Sequence, residues 1–195
     1  MIGNIFAFAD SSVISNTITM GTNSNVSHVA VVVDTIKNDF LIIEAAQFGG
    51  RSYVGATLLS HRVKQFKENN GKIWELELSG ISQNILSERL GDFKYFLYSQ
   101  LNKDYDLFGA IGAGVDIFDG FGAESKENSD KLFCSELISF AFKEVGILSE
   151  GINASEVTPI DLCRFHIYED CIQIMGEPED IPGFNSVLLK GEDNA

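Results

Sequence analysis

Two apolar runs set close together constrain this fold more than any other feature. Residues 26–33 read VSHVAVVV and residues 40–46 read FLIIEAA, with only the polar DTIKN stretch and Asp39 between them. Runs this rich in β-branched side chains fit the pleated, buried surface of a sheet, and a link this short makes them neighbours in an antiparallel hairpin. Each run carries one ionisable residue, His28 and Glu44. With the turn centred on Ile36, Val33 faces Asp39 and His28 stands directly opposite Glu44, the two Cβ atoms roughly 5 Å apart on one face. A slip of one residue would send Glu44 to the other face, where it would simply end the strand towards solvent. Gln47 would then be the next polar side chain to consider.

Downstream, the run KLFCSELISFAFKEVG marks a polar stretch giving way to an amphipathic helix that starts almost at Cys134. Leu137, Phe140, Ala141 and Val145 fall on its inward side, and Gly146 is suited to the C-cap. A thiol at a helix start feels the positive end of the macrodipole, which favours the nucleophilic thiolate. Taken alone, Cys134 reads as well as a small core residue, and His28 as a structural histidine. With Glu44 to orient the imidazole, the three have the parts of a nucleophile, a base and an orienter. The reading requires Cys134 Sγ within about 4 Å of the His28 ring. It also expects the cysteine helix to pack on the strand face carrying His28, Ala30 and Val32, where small Ala30 leaves room for it.

The rest of the chain gives an α+β order. Residues 3–9 form a short strand, and the Ser/Thr-rich stretch to Met20 begins with a helical turn. QFGGRSYVG turns at two glycines into another strand, and GKIWELELSG alternates with the period of a half-buried one. SERLGDFKYFLYSQLN reads as one amphipathic helix, Thr158 and Pro159 open another, and HIYEDCIQIM and SVLLK are late strands. The stretch 108–122 holds five glycines but no phosphate-cradling pattern, and reads as a connection or as a lid.

The net charge of -14, with 28 acidic against 14 basic residues, argues against nucleic acid and against an anionic membrane surface as partners. The N-terminal MIGNIFAFADSSV has no basic residue and no long apolar run, so neither a secretory signal nor membrane insertion is expected, and the chain reads as cytoplasmic. At 195 residues and 45% hydrophobic content it can bury the core of a single domain spanning 1–195. The cysteine count is odd, with no metal-ligand spacing, and His61 and His166 are isolated, so no metal or cofactor is expected. Cys163 and Cys171 read as packing thiols.

Five landmarks in order, ISNTITMGTNSNVSHVAVVVD, LIIEAAQFGG, NKDYDLFGA, LFCSELISFAFKEVGI and SEVTPIDLC, resemble the circularly permuted, YiiX-like branch of the NlpC-type papain-like cysteine peptidases, over roughly residues 3 to 165. In unpermuted relatives the cysteine helix comes first; here the histidine and its acidic partner precede it. The resemblance implies a permuted papain-like fold, an antiparallel sheet packed against the cysteine helix, with Cys134 as nucleophile, His28 as general base and Glu44 as orienter. It also implies that Tyr105 faces the site as an oxyanion or substrate contact, although the residue reads equally as a half-buried loop aromatic. The implied activity is that of a thiol hydrolase, a peptidase or amidase acting on peptide substrates, including cell-wall-type peptides. Relatives on the same fold handle lipid acyl chains. In the lecithin-retinol type a His follows Cys-Glu and an apolar anchor is present, whereas Ser135 and Glu136 follow Cys134 here. A non-catalytic binding module is the third reading.

Overall fold

In the computed structural model, which describes residues 1–104 and 134–189, the two apolar runs lie inside a six-stranded antiparallel sheet. The chain enters through β1 (Ile5–Ala9) and α1 (Val13–Gly21), then runs up and down through β2 (His28–Ile36), β3 (Asp39–Phe48) and β4 (Arg51–Leu58). Next come α2 (Leu59–Glu68), β5 (Lys72–Leu78), α3 (Gly80–Glu88) and α4 (Leu90–Ser99). The described chain resumes with α5 (Cys134–Val145), α6 (Pro159–Arg164) and β6 (Tyr168–Met175). The strand order is β4-β3-β2-β1-β5-β6.

The sheet is covered on both faces, which explains why β2 reads as continuous valine rather than an alternation. Ile5, Ala7, Val29, Val31, Val33, Ile43 and Ala45 face one apolar cluster, with side chains from α3 to α6. Phe6, Phe8, Ala30, Val32, Ile42 and Ile73 face a smaller one closed by Leu59 and Phe66 of α2. In β5, Trp74, Leu76 and Leu78 join the larger cluster, as the alternation of that segment requires. The expected helix over 87–102 begins at Leu90 and follows a separate helix, α3, from which Arg89 breaks it at φ -121°. The Ser/Thr-rich stretch is a full helix capped by Ser12, whose hydroxyl accepts from the Ser15 amide. Of SVLLK, the described residues make an isolated parallel bridge, Phe165 to Val187, and no strand.

The cysteine helix forms where its pattern puts it, with Leu137, Ala141 and Val145 buried as expected. Ile138 and Phe142 are buried as well, whereas Phe140, expected inward, is only partly buried, and the Phe93 and Phe142 rings stack 6.1 Å apart. Gly146 ends it at φ 84°, with the Ile147 amide donating to Phe142 O and the Gly146 amide to Lys143 O, a Schellman closure. One expectation about its placement does not hold. α5 packs on the Val29, Val31 and Val33 face, whereas Ala30 and Val32 face α2. Side chains alternate along β2, so the face that takes a helix this apolar is the all-valine one.

Candidate functional site

The hairpin settles which polar side chains can meet. Lys37 and Asn38 form a two-residue turn, both with positive φ, 48° and 66°, so the strands continue into what reads as loop. Pairing leaves the turn as Ile36 with Asp39, Thr35 with Phe40 and Asp34 with Leu41, then shifts by one to Val32 with Ile42 and Val31 with Ile43. The extra residue, Val33, sits in a bulge. Had the turn's register continued unshifted, Glu44 would oppose Val31 and point away from His28. The bulge restores the parity, so that Glu44 falls opposite Ala30, one diagonal step from His28. Direct opposition, expected from a turn centred on Ile36, is thus replaced by a two-residue offset that keeps both side chains on one face.

His28 Nε2 and Glu44 Oε2 are 2.7 Å apart. The ionised carboxylate can only accept, so Nε2 carries the proton and Nδ1 is left for another partner. Cys134 is the side chain that most favours the charge on the imidazole, and Nδ1 is the ring nitrogen that Glu44 leaves open to it. Although α5 lies on the other face, His28 is the first residue of β2 and Cys134 the first of α5. The two meet past the end of the strand rather than across the sheet. Phe8, paired with His28 in β1, sets its ring 5.7 Å from the imidazole. The Ser27 amide and hydroxyl both donate to Phe8 O, and the Ser15 hydroxyl donates to Ser27 Oγ at 2.7 Å, which fixes the start of β2. On the other side, the Ser135 hydroxyl donates to Val157 O at 2.6 Å and anchors the first turn of α5.

Sequence reasoning passed over the fourth member, Arg62 of α2. Its Nε donates to Glu44 Oε1 at 2.6 Å, one terminal nitrogen to Glu44 Oε2 at 2.8 Å, and the other to Gln65 Oε1 at 2.6 Å. Phe48 lies over the guanidinium at 4.9 Å, and Gly55, which pairs with Glu44, leaves space for that ring. Glu44 is 0% exposed and the His28 side chain 15%. A signal for α2 was available, because Leu59, Val63 and Phe66 recur at helical spacing and Arg62 shares their stripe.

Burial opposes the charge on His28, but Cys134 first and then Glu44 favour the imidazolium, and its pKa is raised to about 9. Burial likewise opposes the charge on Glu44, yet His28 and Arg62 together hold its carboxyl below the ordinary range. The other cysteines are different. Burial pushes the Cys163 thiol far up, and its Sγ donates to Pro159 O; Cys171 is pushed up to about 11, again chiefly by burial. Tyr105 and the stretch 108–122 lie outside the described residues. A cavity of about 340 Å³ lies beyond the end of β1, lined by residues that include Asp10, Asn16, Asn25, Lys72 and Glu179, and none of His28, Glu44, Arg62 and Cys134 lines it.

No family model and no curated protein matches the chain. Among solved structures it is similar to the metalloprotein YiiX from Escherichia coli O157:H7, with TM-score 0.57 and 15% identity over 91% of this chain and 97% of that one. The likeness establishes a YiiX-like α+β fold. Among the described residues no group of three His, Cys, Asp or Glu side chains is placed to hold a metal ion, and both oxygens of Glu44 are already taken by Arg62 and His28. No helix among them is long and apolar enough to cross a membrane.

Proposed function

We propose that the chain is a cysteine hydrolase, a peptidase or amidase of the circularly permuted papain-like kind, working through a thioester acyl-enzyme. One observation carries the reading: the His28 ring is hydrogen-bonded to the Glu44 carboxylate and has in Cys134 the side chain that most favours its charge. His28 opens β2, Glu44 lies within β3 and Cys134 opens α5, in the order His, Glu, Cys that a permuted chain would have.

In the proposed reaction His28 Nδ1 takes the thiol proton, and Cys134 Sγ attacks the carbonyl carbon of an amide. The negative charge that develops on the carbonyl oxygen is met by the Cys134 backbone N–H, one of the donors that a helix start leaves without an intrahelical partner. As the tetrahedral intermediate collapses, the C–N bond breaks and the imidazolium gives its proton to the leaving amine. His28 then deprotonates a water that attacks the thioester, and the proton returns to sulfur as the acid departs. Glu44 holds the ring with Nε2 protonated throughout and stabilises each imidazolium.

Labelling with a panel of electrophilic peptides, followed by mapping of the modified residue, tests this reading. Covalent modification at Cys134 that depends on peptide sequence and vanishes in His28→Ala is the expected result. Labelling that ignores peptide sequence and survives His28→Ala would leave a binding module on this fold.

A further inference from the structure

We infer that Arg62 is a positioning residue for the nucleophile: through Glu44, its charge allows the Cys134 thiolate, the His28 imidazolium and the Glu44 carboxylate to exist together in a buried cluster. The inference rests on the reading of Cys134 as nucleophile and adds a member to that site.

The argument starts from charge. Thiolate, imidazolium and carboxylate sum to one negative charge, and Glu44 is wholly buried, where an uncompensated charge is costly. Arg62 brings the sum to zero, since a guanidinium stays protonated in proteins. Among the described residues, the groups joined in the cluster are Glu44 from β3, Arg62 from α2, His28 from β2 and Cys134 from α5; Glu136, also buried in the first turn of α5, has interactions of its own. From β4, the residue paired with Glu44 is Gly55, which has no side chain.

Geometry makes the arrangement specific. Arg62 engages both Glu44 oxygens, at 2.6 and 2.8 Å, and its remaining nitrogen is held by Gln65 at 2.6 Å. Phe48 covers the cation and keeps it from water. Bidentate pairing also fixes the carboxylate plane, so that Oε2 is aimed at His28 Nε2. Without Arg62 the neutral alternative is thiol, imidazolium and carboxylate.

The test needs no substrate. The pH profile of the thiolate is read from its ultraviolet absorbance and from the rate of iodoacetamide labelling mapped to Cys134, in the full chain and in Arg62→Met, Arg62→Lys and Glu44→Gln/Arg62→Met. Folding of each is checked by circular dichroism. In Arg62→Met the thiolate fraction at neutral pH should fall about tenfold or more, the size of one uncompensated charge close by in a partly buried site. Arg62→Lys should recover most of that loss, because the charge is back. The double variant should also recover it, since removing both charges returns the sum to zero. If Arg62→Met does not fold, the comparison passes to the other two, which keep the charge sum and should stay near the wild-type profile. A folded Arg62→Met with the wild-type profile, or a double variant or Arg62→Lys shifted as far as a charge loss would shift it, overturns the inference. A wild-type chain whose Cys134 shows no thiolate at neutral pH overturns instead the reading of the nucleophile, and is distinguished by appearing before any substitution is made.

Discussion

Glu44→Ala should destabilise this protein by about 3–5 kcal/mol, the cost of breaking a buried ion pair by removing one partner. Three hydrogen bonds end on the Glu44 carboxylate, at 2.6, 2.7 and 2.8 Å, and the residue is 0% exposed. Its removal leaves the Arg62 guanidinium buried under Phe48 with Gln65 alone to receive it. Truncation of the side chain also opens a small void, but the void is the lesser term. The unpaired cation dominates, and that can be separated from cavity formation with a second substitution. In Glu44→Ala/Arg62→Met no charge is stranded, so the loss should fall short of the sum of the single losses by about 2 kcal/mol, a coupling within the range seen for contacting residues. Urea denaturation at neutral pH, followed by far-ultraviolet circular dichroism, measures all four corners of the cycle. A chain of this length loses about 2–4 °C of Tm per kcal/mol, so Glu44→Ala should melt roughly 6–20 °C lower. A single variant within about 1 kcal/mol of wild type would refute the reasoning, and so would single losses that simply add.

Iodoacetamide at neutral pH should modify Cys134 before Cys163 or Cys171, because an imidazolium adjoins the first while burial holds the other two thiols protonated; peptide mapping that finds equal labelling would contradict this. Nuclear magnetic resonance titration of His28 should report a pKa near 9 in the wild type and a lower one in Cys134→Ala, since Cys134 is the leading group that raises it. In the wild type the associated stability should be present in full below pH 6.5, the ordinary value, and fade as pH rises through about 9; thermal melts against pH check the sign. Gly55→Val should push Phe48 off Arg62, because a Cβ there would lie 2.6 Å from the ring. The loss should be about 1 kcal/mol, the size of a cation–π contact, and a variant as stable as wild type in urea would count against it.

The candidate site was legible where local pattern carries three-dimensional meaning. His28 and Glu44 stand out because each interrupts a run that otherwise belongs in a core, and Cys134 because it stands at the first turn of a helix whose end is marked by Gly146. What could not be read was the manner of their meeting. The bulge at Val33 leaves no mark in a run of three valines, and together with the two-residue turn it decides the face on which Glu44 emerges. Arg62 was hidden for a different reason. In LSHRVKQFKE the stripe of Leu59, Val63 and Phe66 is narrow and the rest is polar, so an arginine within it passes for surface. Similarly, α5 could not be assigned a face of the sheet from its own sequence, since β2 offers apolar side chains on both.

The separation along the chain between the two halves of the site has a consequence for biosynthesis. The acid–base half, His28, Glu44 and Arg62, lies within thirty-five residues of contiguous chain and is joined by a hairpin and the helix that follows it. The thiol arrives more than a hundred residues after His28. During synthesis from the N-terminus, β1 to β5 can pair before α5 exists, so His28, Glu44 and Arg62 are in place before Cys134 has been made. Conversely, a chain truncated before residue 134 or misfolded around the hairpin carries at most an ordinary thiol or none. Under the proposed function, reactivity is therefore conferred only by completion of the fold, when Cys134 joins the other three side chains.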